Sequence, residues 1–357
     1  MSNRSKAIYW PCDDFTDFGE ASLAAMSQGL PLMLRDGVIV ELNFSLIHKL
    51  NSRKLEIIGC GEVKPTIIGN GHSIFQIGGR YSILDLTNLC LRHTCDLDDY
   101  RDVGAVIFAL NLADVRIQDC EIVSSHGFGV WAVQKASVHL TRCSITSVRR
   151  SGLVSFGKSS LSLNECCIQD CNIHSICCRG NTRLTAKNCT FLSAKVRAIY
   201  GYHFVNIDME DCVISGTECS EHAAVDIWCT LPTDGWQANS KLSKRQPVEN
   251  DSEGSQIQRK GIIFSTRKDS HHQYKDGQGT KKIVQTHLTV QLRRCKIIDN
   301  MGFGFRFKQD ESTSLTHSLD DCIFGNNGRG DISLVAPASE IDDHLYSAEG
   351  MHDQVYI

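Results

Sequence analysis

The segments VRIQDCEI (115–122), VHLTRCSI (138–145), LSLNECCI (161–168), LTAKNCTF (184–191) and VNIDMEDCVI (205–214) decide the fold of this 357-residue chain. Their cysteines at positions 120, 143, 166, 189 and 212 follow one another at a constant spacing of 23 residues. A fixed period between about 20 and 50 residues is typical of a solenoid, in which each repeat packs on its neighbours. The repeat therefore predicts an elongated solenoid.

Each repeat has the pattern of short β-strands. Apolar residues alternate with polar ones, as at Val115 and Ile117, and one polar residue, such as Asp119, then interrupts the alternation. We interpret that residue as a bend between two strands, and a third alternating run follows, for example GVWAV from Gly129. A leucine-rich horseshoe would need a leucine ladder, which this sequence lacks. The pattern predicts an all-β, single-stranded parallel β-helix with three short strands and about 23 residues per coil.

In-register stacking of the coils places equivalent residues in inward columns. These columns contain Val115, Val138, Leu161 and Leu184; Ile117, Leu140, Leu163 and Ala186; the repeated cysteines; and Ile122, Ile145, Ile168 and Phe191. Stacked cysteines about 4.8 Å apart approach the distance that a disulfide bridges. Adjacent Cys177 and Cys178 offer a weaker zinc alternative, without recurring ligand spacing. We favour reduced cysteines that pack as small apolar residues.

The two ends and one long segment depart from the repeat. Residues 1–29 contain FGEASLAAMSQG from Phe18, which predicts a short helix capped by Thr16 or Asp17 that closes the open end of the solenoid. Residues 30–338 form the predicted β-helix. Within it, residues 229–287 are polar and aperiodic, which predicts a long, largely disordered loop insertion. Residues 339–357 form a polar C-terminal tail.

The coils, with the opening GLPLMLRDGVIVE (29–41) and LEIIGCGEVKPTIIGNG (55–71), resemble the right-handed parallel β-helix of the pectin-lyase-like superfamily. The resemblance covers about residues 30–335. The cysteine-rich coils and the turn from Gly325 to Gly328 look most like intracellular members, namely the β-helix regions of F-box proteins and of Shc-binding-protein-like proteins. The resemblance implies recognition of partners or glycans rather than cleavage of polysaccharide. No F-box is apparent near the N-terminus.

Composition restricts the classes of partner. A net charge of −4 argues against nucleic-acid binding. No run reaches the roughly 18 apolar residues that a membrane helix needs. The opening MSNRSKAIYWPCDD has no apolar signal-peptide core, so we expect a cytoplasmic protein. We predict no metal or other cofactor.

Pectin-type hydrolases need two carboxylates at a suitable separation, and lyases need a carboxylate cluster with a basic residue. The outward columns of the third strand contain a single carboxylate, Asp226. The catalytic alternative therefore combines Asp226 with Glu221 or Asp208, and with Arg306 as the basic residue. This alternative is a carbohydrate-active enzyme, either a polysaccharide hydrolase or a lyase.

Aromatic residues are the stronger signal on the third strands. The predicted binding rings are Trp131, Phe156, Tyr200, Tyr202 and Trp228, and basic residues at Arg149, Arg179 and Arg197 lie in or near the adjacent turns. Exposed rings suit a sugar chain or an apolar segment of a partner, and the basic residues suit an anionic ligand. Cover by the 229–287 insertion, ordinary solvated turn charge and a purely structural spacer are the alternatives. We predict a non-catalytic intracellular module that binds a protein partner or a polysaccharide through this face.

Overall fold

The computed structural model describes residues 7–43, 45–49, 53–71, 73–94, 104–229, 287–309 and 314–335. These residues form a parallel β-helix of about ten coils with a single short helix, so the predicted all-β fold class is confirmed. Each complete coil contributes one strand to each of three parallel sheets, which we call sheets A, B and C.

Sheet A has eleven strands within the described ranges. They are β1 (Ile8–Trp10), β2 (Leu32–Leu34), β5 (Lys54–Gly59), β8 (Ile83–Thr87), β11 (Asp114–Gln118), β14 (Ser137–Thr141), β17 (Ser160–Asn164), β20 (Arg183–Lys187), β23 (Asn206–Glu210), β26 (His287–Arg293) and β29 (Ser314–Asp320).

Sheets B and C have ten strands each within the same ranges. Sheet B contains β3 (Ile39–Leu42), β6 (Thr66–Asn70), β9 (Cys90–Thr94), β12 (Glu121–Ser124), β15 (Ser144–Val148), β18 (Cys167–Gln169), β21 (Thr190–Leu192), β24 (Val213–Ser215), β27 (Lys296–Ile298) and β30 (Ile323–Gly325). Sheet C contains β4 (Leu46–Lys49), β7 (Phe75–Gly78), β10 (Ala105–Leu110), β13 (Phe128–Gln134), β16 (Leu153–Gly157), β19 (His174–Gly180), β22 (Arg197–Tyr202), β25 (Ala223–Cys229), β28 (Phe303–Gln309) and β31 (Gly330–Val335).

The bend predicted before each cysteine is a single residue in the left-handed conformation. Asp119, Glu165, Asn188 and Asp211 have φ values of 54°, 54°, 53° and 54°. Asparagine and aspartate enter this region more readily than most residues, because their short polar side chains form local hydrogen bonds. One residue therefore turns the chain from sheet A into sheet B without an added loop, which keeps the period short.

The predicted inward columns form the core. The register pairs Val115 with Val138 and continues through Leu161 to Leu184. These four side chains are at most 1% exposed. Complete burial of one such side chain stabilises the fold by about 1.5–3 kcal/mol, so a column repeated in every coil is a major source of stability.

The repeated cysteines stack as a buried ladder between sheets A and B. The cysteines within the described ranges are free thiols, and those at 120, 143, 166, 189, 212 and 295 are at most 2% exposed. The Cys166 thiol donates to the carbonyl of Asn164 over 3.3 Å, and the Cys189 thiol repeats this contact with Lys187 over 3.2 Å. The buried ladder thus packs in the apolar interior while its thiols donate to backbone carbonyls.

The N-terminal helix α1 spans Phe18–Gln28. Its N-cap is Asp17, whose carboxylate accepts from the Glu20 amide over 2.8 Å, and Gly29 ends it in the left-handed conformation. Its buried face packs against β1, β2 and β5. Strand β1, which pairs in parallel with β2, was not predicted from the sequence.

Two predicted segments fall outside the described residues. These are almost all of the 229–287 insertion, of which only its terminal residues are described, and the whole 339–357 tail. Among the residues that the structure does describe, no helix is long and apolar enough to cross a membrane.

Candidate binding face on sheet C

The outward side of sheet C presents two columns of side chains in register. The first column contains Phe108, Trp131, Val154, Cys177, Tyr200, Asp226 and Arg306. The second column contains Val133, Phe156, Arg179, Tyr202, Trp228 and Lys308. The structure therefore places the five predicted rings on one face, divided between two columns.

Several of these outward side chains are buried although they point away from the core. Val154, Cys177 and Tyr200 of the first column and Trp228 of the second are 1–6% exposed and belong to an apolar cluster separate from the core. Trp131 and Tyr202 are half-buried and pack against this cluster, and Phe156 is also half-buried. Tyr200 and Trp228 are therefore buried, while the other three predicted rings keep partial contact with solvent.

The rings contribute to their own burial. Tyr200 stacks on Tyr202 with 6.3 Å between ring centroids and meets Trp228 edge-on at the same distance. At the other end of the face, Trp131 lies 5.1 Å from Phe108 and 5.2 Å from Phe128. Such tilted and edge-on pairs are favourable arrangements, and they fix the positions of the rings before any ligand binds.

A buried ion network lies beside the rings. The Asp226 side chain is completely buried, and one of its oxygens accepts from Arg197 Nε over 2.8 Å. Its other oxygen accepts from Arg306 Nε over 2.9 Å and from Trp228 Nε1 over 2.7 Å. Arg306 Nη2 also donates to the carboxylate. These donors surround both carboxylate oxygens.

The network keeps Asp226 ionised and His222 neutral. Burial opposes ionisation of Asp226, but the hydrogen bonds and charges of Arg306 and Arg197 outweigh burial and hold its pKa below the usual value. His222 Nδ1 accepts from Arg197 over 3.0 Å and from Arg306 over 3.1 Å. Burial and the adjacent Arg197 charge lower the pKa of His222 to about 4. An ionised, enclosed Asp226 is unsuited to act as a general acid.

Cations lie over the rings of the second column. Lys308 Nζ is 4.0 Å from the Trp228 ring centroid, and the Arg179 guanidinium is 5.7 Å from that of Tyr202. Register along sheet C gives the order Phe156, Arg179, Tyr202, Trp228, Lys308. We call these five residues the aromatic–cation column. Phe156, Arg179, Tyr202 and Lys308 are half-buried and keep some contact with solvent, whereas Trp228 is buried.

The predicted basic residues do not form one cluster. Arg197 lies at the start of β22 and is committed to Asp226. Arg179 lies on β19 and pairs in register with Tyr202, which is at the other end of β22 from Arg197. Arg149 is exposed in the turn after β15. Of the three predicted arginines, Arg179 is therefore the one that belongs to the aromatic–cation column.

The residues of the catalytic alternative are also separated. Asp208 belongs to β23 in sheet A, where it forms an ion pair with Arg293 over 2.8 Å. It lines a shallow depression of about 260 Å³ there. Asp226 belongs to sheet C, and Glu221 is an exposed turn residue whose carbonyl accepts from Arg306 over 3.2 Å. Asp208 and Asp226 therefore do not share a site.

His222 and Lys308 were not among the binding residues predicted from the sequence. Lys308 shares an outward column with Trp228, so the repeat register contained a signal for it. His222 precedes β25 and lies outside the alternating pattern, so the sequence contained no comparable signal.

Comparison with known proteins supports the fold. Residues 97–230 match the model of a family described as the right-handed β-helix region, which confirms the predicted handedness. No curated protein matches the chain.

Three solved structures are similar to this chain. The periplasmic alginate epimerase AlgG is 9% identical, with 86% of this chain and 77% of that chain covered and a TM-score of 0.36. The catalytic domain of Agl-KA is 10% identical, with 94% of this chain and 69% of that chain covered and a TM-score of 0.44. The Azotobacter vinelandii mannuronan C-5 epimerase AlgE4 A-module is 11% identical, with 92% of this chain and 97% of that chain covered and a TM-score of 0.35. Likeness at these values gives no information about the ligand or activity of this chain.

Proposed function

We propose that this protein is a non-catalytic binding module that recognises an acidic glycan through the aromatic–cation column of sheet C. The cytoplasmic location expected from the sequence stays a prediction and is not needed for this proposal. The binding face is formed by five neighbouring strands of sheet C, namely β16, β19, β22, β25 and β28.

The enclosure of Asp226 is the observation that carries the non-catalytic part. Asp226 is the one carboxylate in the two outward columns, and Arg197, Arg306 and Trp228 occupy both of its oxygens. Glycoside hydrolysis generally uses a pair of carboxyl groups, one of which donates a proton to the leaving group. The geometry therefore supports a role for Asp226 in ordering two arginines and one indole ring, without proton transfer.

The ligand class follows from the order of rings and cations along the column. Tyr202 and Trp228 lie on neighbouring strands, and Arg179 and Lys308 lie on the strands that flank them. Sugar rings stack on aromatic faces through their apolar C–H surfaces, while cations bind carboxylate or sulfate groups. Strands lie about 4.8 Å apart, so the column extends over about 19 Å. An extended oligosaccharide that carries acidic groups fits this surface.

Binding to an array of acidic and neutral polysaccharides tests the proposal. We expect the wild-type protein to bind acidic chains, and we expect Lys308→Gln to weaken that binding about tenfold or more, since a charge-assisted contact contributes about 1.5–3 kcal/mol. Lys187→Gln is the matched control, because Lys187 lies on sheet A and pairs with Glu210 over 3.3 Å.

The outcomes separate the competing functions. Equal loss of binding in Lys308→Gln and Lys187→Gln would place the ligand elsewhere or indicate non-specific charge attraction. Binding of an acidic peptide, with no glycan bound, would favour the protein-partner alternative. Shortening of a bound glycan would contradict the non-catalytic assignment.

A further inference from the structure

The cysteine ladder ends in a pair that differs from the rest. Cys322 lies one coil beyond Cys295, since the Ile323 amide donates to the Cys295 carbonyl over 2.9 Å and Lys296 pairs in register with Ile323. Both cysteines are free thiols, and the Cys322 thiol donates to the Leu292 carbonyl over 3.4 Å. The sulfur atoms are therefore neighbours without being bonded.

Position at the end of the sheet distinguishes this pair. Interior ladder cysteines such as Cys143 and Cys166 have a coil on each side and are 2% exposed. Cys322 is half-buried, and strand β30, which follows it, is the last strand of sheet B in the described residues. A small oxidant can reach Cys322 from solvent, whereas the interior thiols are enclosed.

We propose that Cys295 and Cys322 form a reversible disulfide that fastens the last coil of the β-helix to the preceding one. A peroxide is the oxidant. It converts the Cys322 thiol to a sulfenic acid and releases one water, and the Cys295 sulfur then attacks the Cys322 sulfur and releases a second water. Two thiols and one peroxide thus give one disulfide and two waters, and a dithiol reverses the reaction.

Geometry and chemistry allow this step at the end of the ladder. Neighbouring strands lie about 4.8 Å apart, which is within the range of about 4.4–6.8 Å between the Cα atoms of disulfides. The side chains must turn toward each other, and the coil that contains Cys322 has a neighbour on one side only among the described strands of sheet B, which leaves it freer to shift. The neighbouring Cys212 lowers the pKa of the Cys295 thiol to about 7, which favours the attacking thiolate, whereas burial raises the pKa of the Cys322 thiol and slows its first oxidation.

Thiol counting after peroxide treatment tests the proposal on the full chain. After alkylation, we expect the intact mass to show two fewer modified cysteines, and we expect dithiothreitol to restore both. Trypsin would then leave the fragments that contain Cys295 and Cys322 joined, because Lys296, Arg306 and Lys308 lie between the two cysteines. Hydrogen exchange in β29, β30 and β31 should slow in the oxidised protein, since the disulfide closes a loop of 27 residues.

Two variants make the result decisive. Cys322→Ser should abolish the loss of thiols, while Cys166→Ser, in the interior of the ladder, should leave it intact. A joined fragment pair other than Cys295 with Cys322 would overturn the proposal. So would oxidation of Cys322 to the sulfinic acid without a disulfide, or an unchanged thiol count at peroxide concentrations that oxidise free cysteine.

Discussion

Replacing Asp226 with asparagine removes the negative charge that Arg197 and Arg306 share. Asp226 is completely buried, and the two arginine side chains are 5% and 11% exposed, so the remaining positive charges are left close together with little access to water. Loss of one partner from a buried ion pair costs about 3–5 kcal/mol. We therefore expect Asp226→Asn to lower the free energy of unfolding by about 3–5 kcal/mol.

Asp208→Asn is the matched control. Asp208 also pairs with an arginine over 2.8 Å, but this pair is 34% and 40% exposed, and such surface pairs contribute at most about 1 kcal/mol. Urea unfolding followed by circular dichroism would measure both variants. Equal, small losses of stability for the two variants would refute the conclusion that Asp226 organises a buried network, and would return this residue to the list of possible acid–base groups.

Three further predictions concern the pH response, the bends and the helix. His222 has a pKa of about 4 in the folded protein and about 6.5 when unfolded. Because the unfolded state binds the extra proton, stability should fall by about 2–3 kcal/mol as pH drops from 6.5 to 4, and His222→Gln should flatten this part of a pH series of urea titrations. Glu165 has a φ of 54°, which a β-branched residue adopts poorly and glycine adopts freely. Glu165→Val should therefore lower the free energy of unfolding by about 1–2 kcal/mol, while Glu165→Gly should be neutral or stabilising. Equal thermal unfolding midpoints for the two variants would contradict this prediction. Asp17→Ala should cost about 1 kcal/mol by removing the N-cap of α1, and an unchanged unfolding curve would show that the cap contributes nothing.

The fold was predictable because each coil repeats the same pattern of apolar, polar and cysteine residues. The constant spacing of Cys120 and its successors fixes the register, and alternation assigns each apolar side chain to the inside. The bend at Asp119 was recognisable because this polar residue interrupts the alternation of apolar and polar residues. Strand β1 escaped prediction because three residues, Ile8–Trp10, carry no repeat and gain their pairing only from the neighbouring β2.

The candidate site was only partly predictable. Alternation places Tyr200 and Trp228 on the outward side, but it does not indicate whether anything covers that side. The ion network joins Arg197 to Asp226 across 29 residues and Asp226 to Arg306 across 80. The sequence suggested Asp226 and Arg306 as partners in a catalytic set, but the role of each depends on side-chain geometry, which strand periodicity leaves undefined.

The most direct test of the account combines affinity and chain length in one titration. An acidic oligosaccharide is titrated into the wild-type protein and into the Arg179→Gln/Lys308→Gln variant, and its mass is measured before and after. We predict that the wild type binds, that the variant loses most of its affinity while keeping its unfolding midpoint, and that the sugar mass is unchanged. Undiminished binding by a folded variant, or a shortened sugar, would contradict the proposed role of the aromatic–cation column.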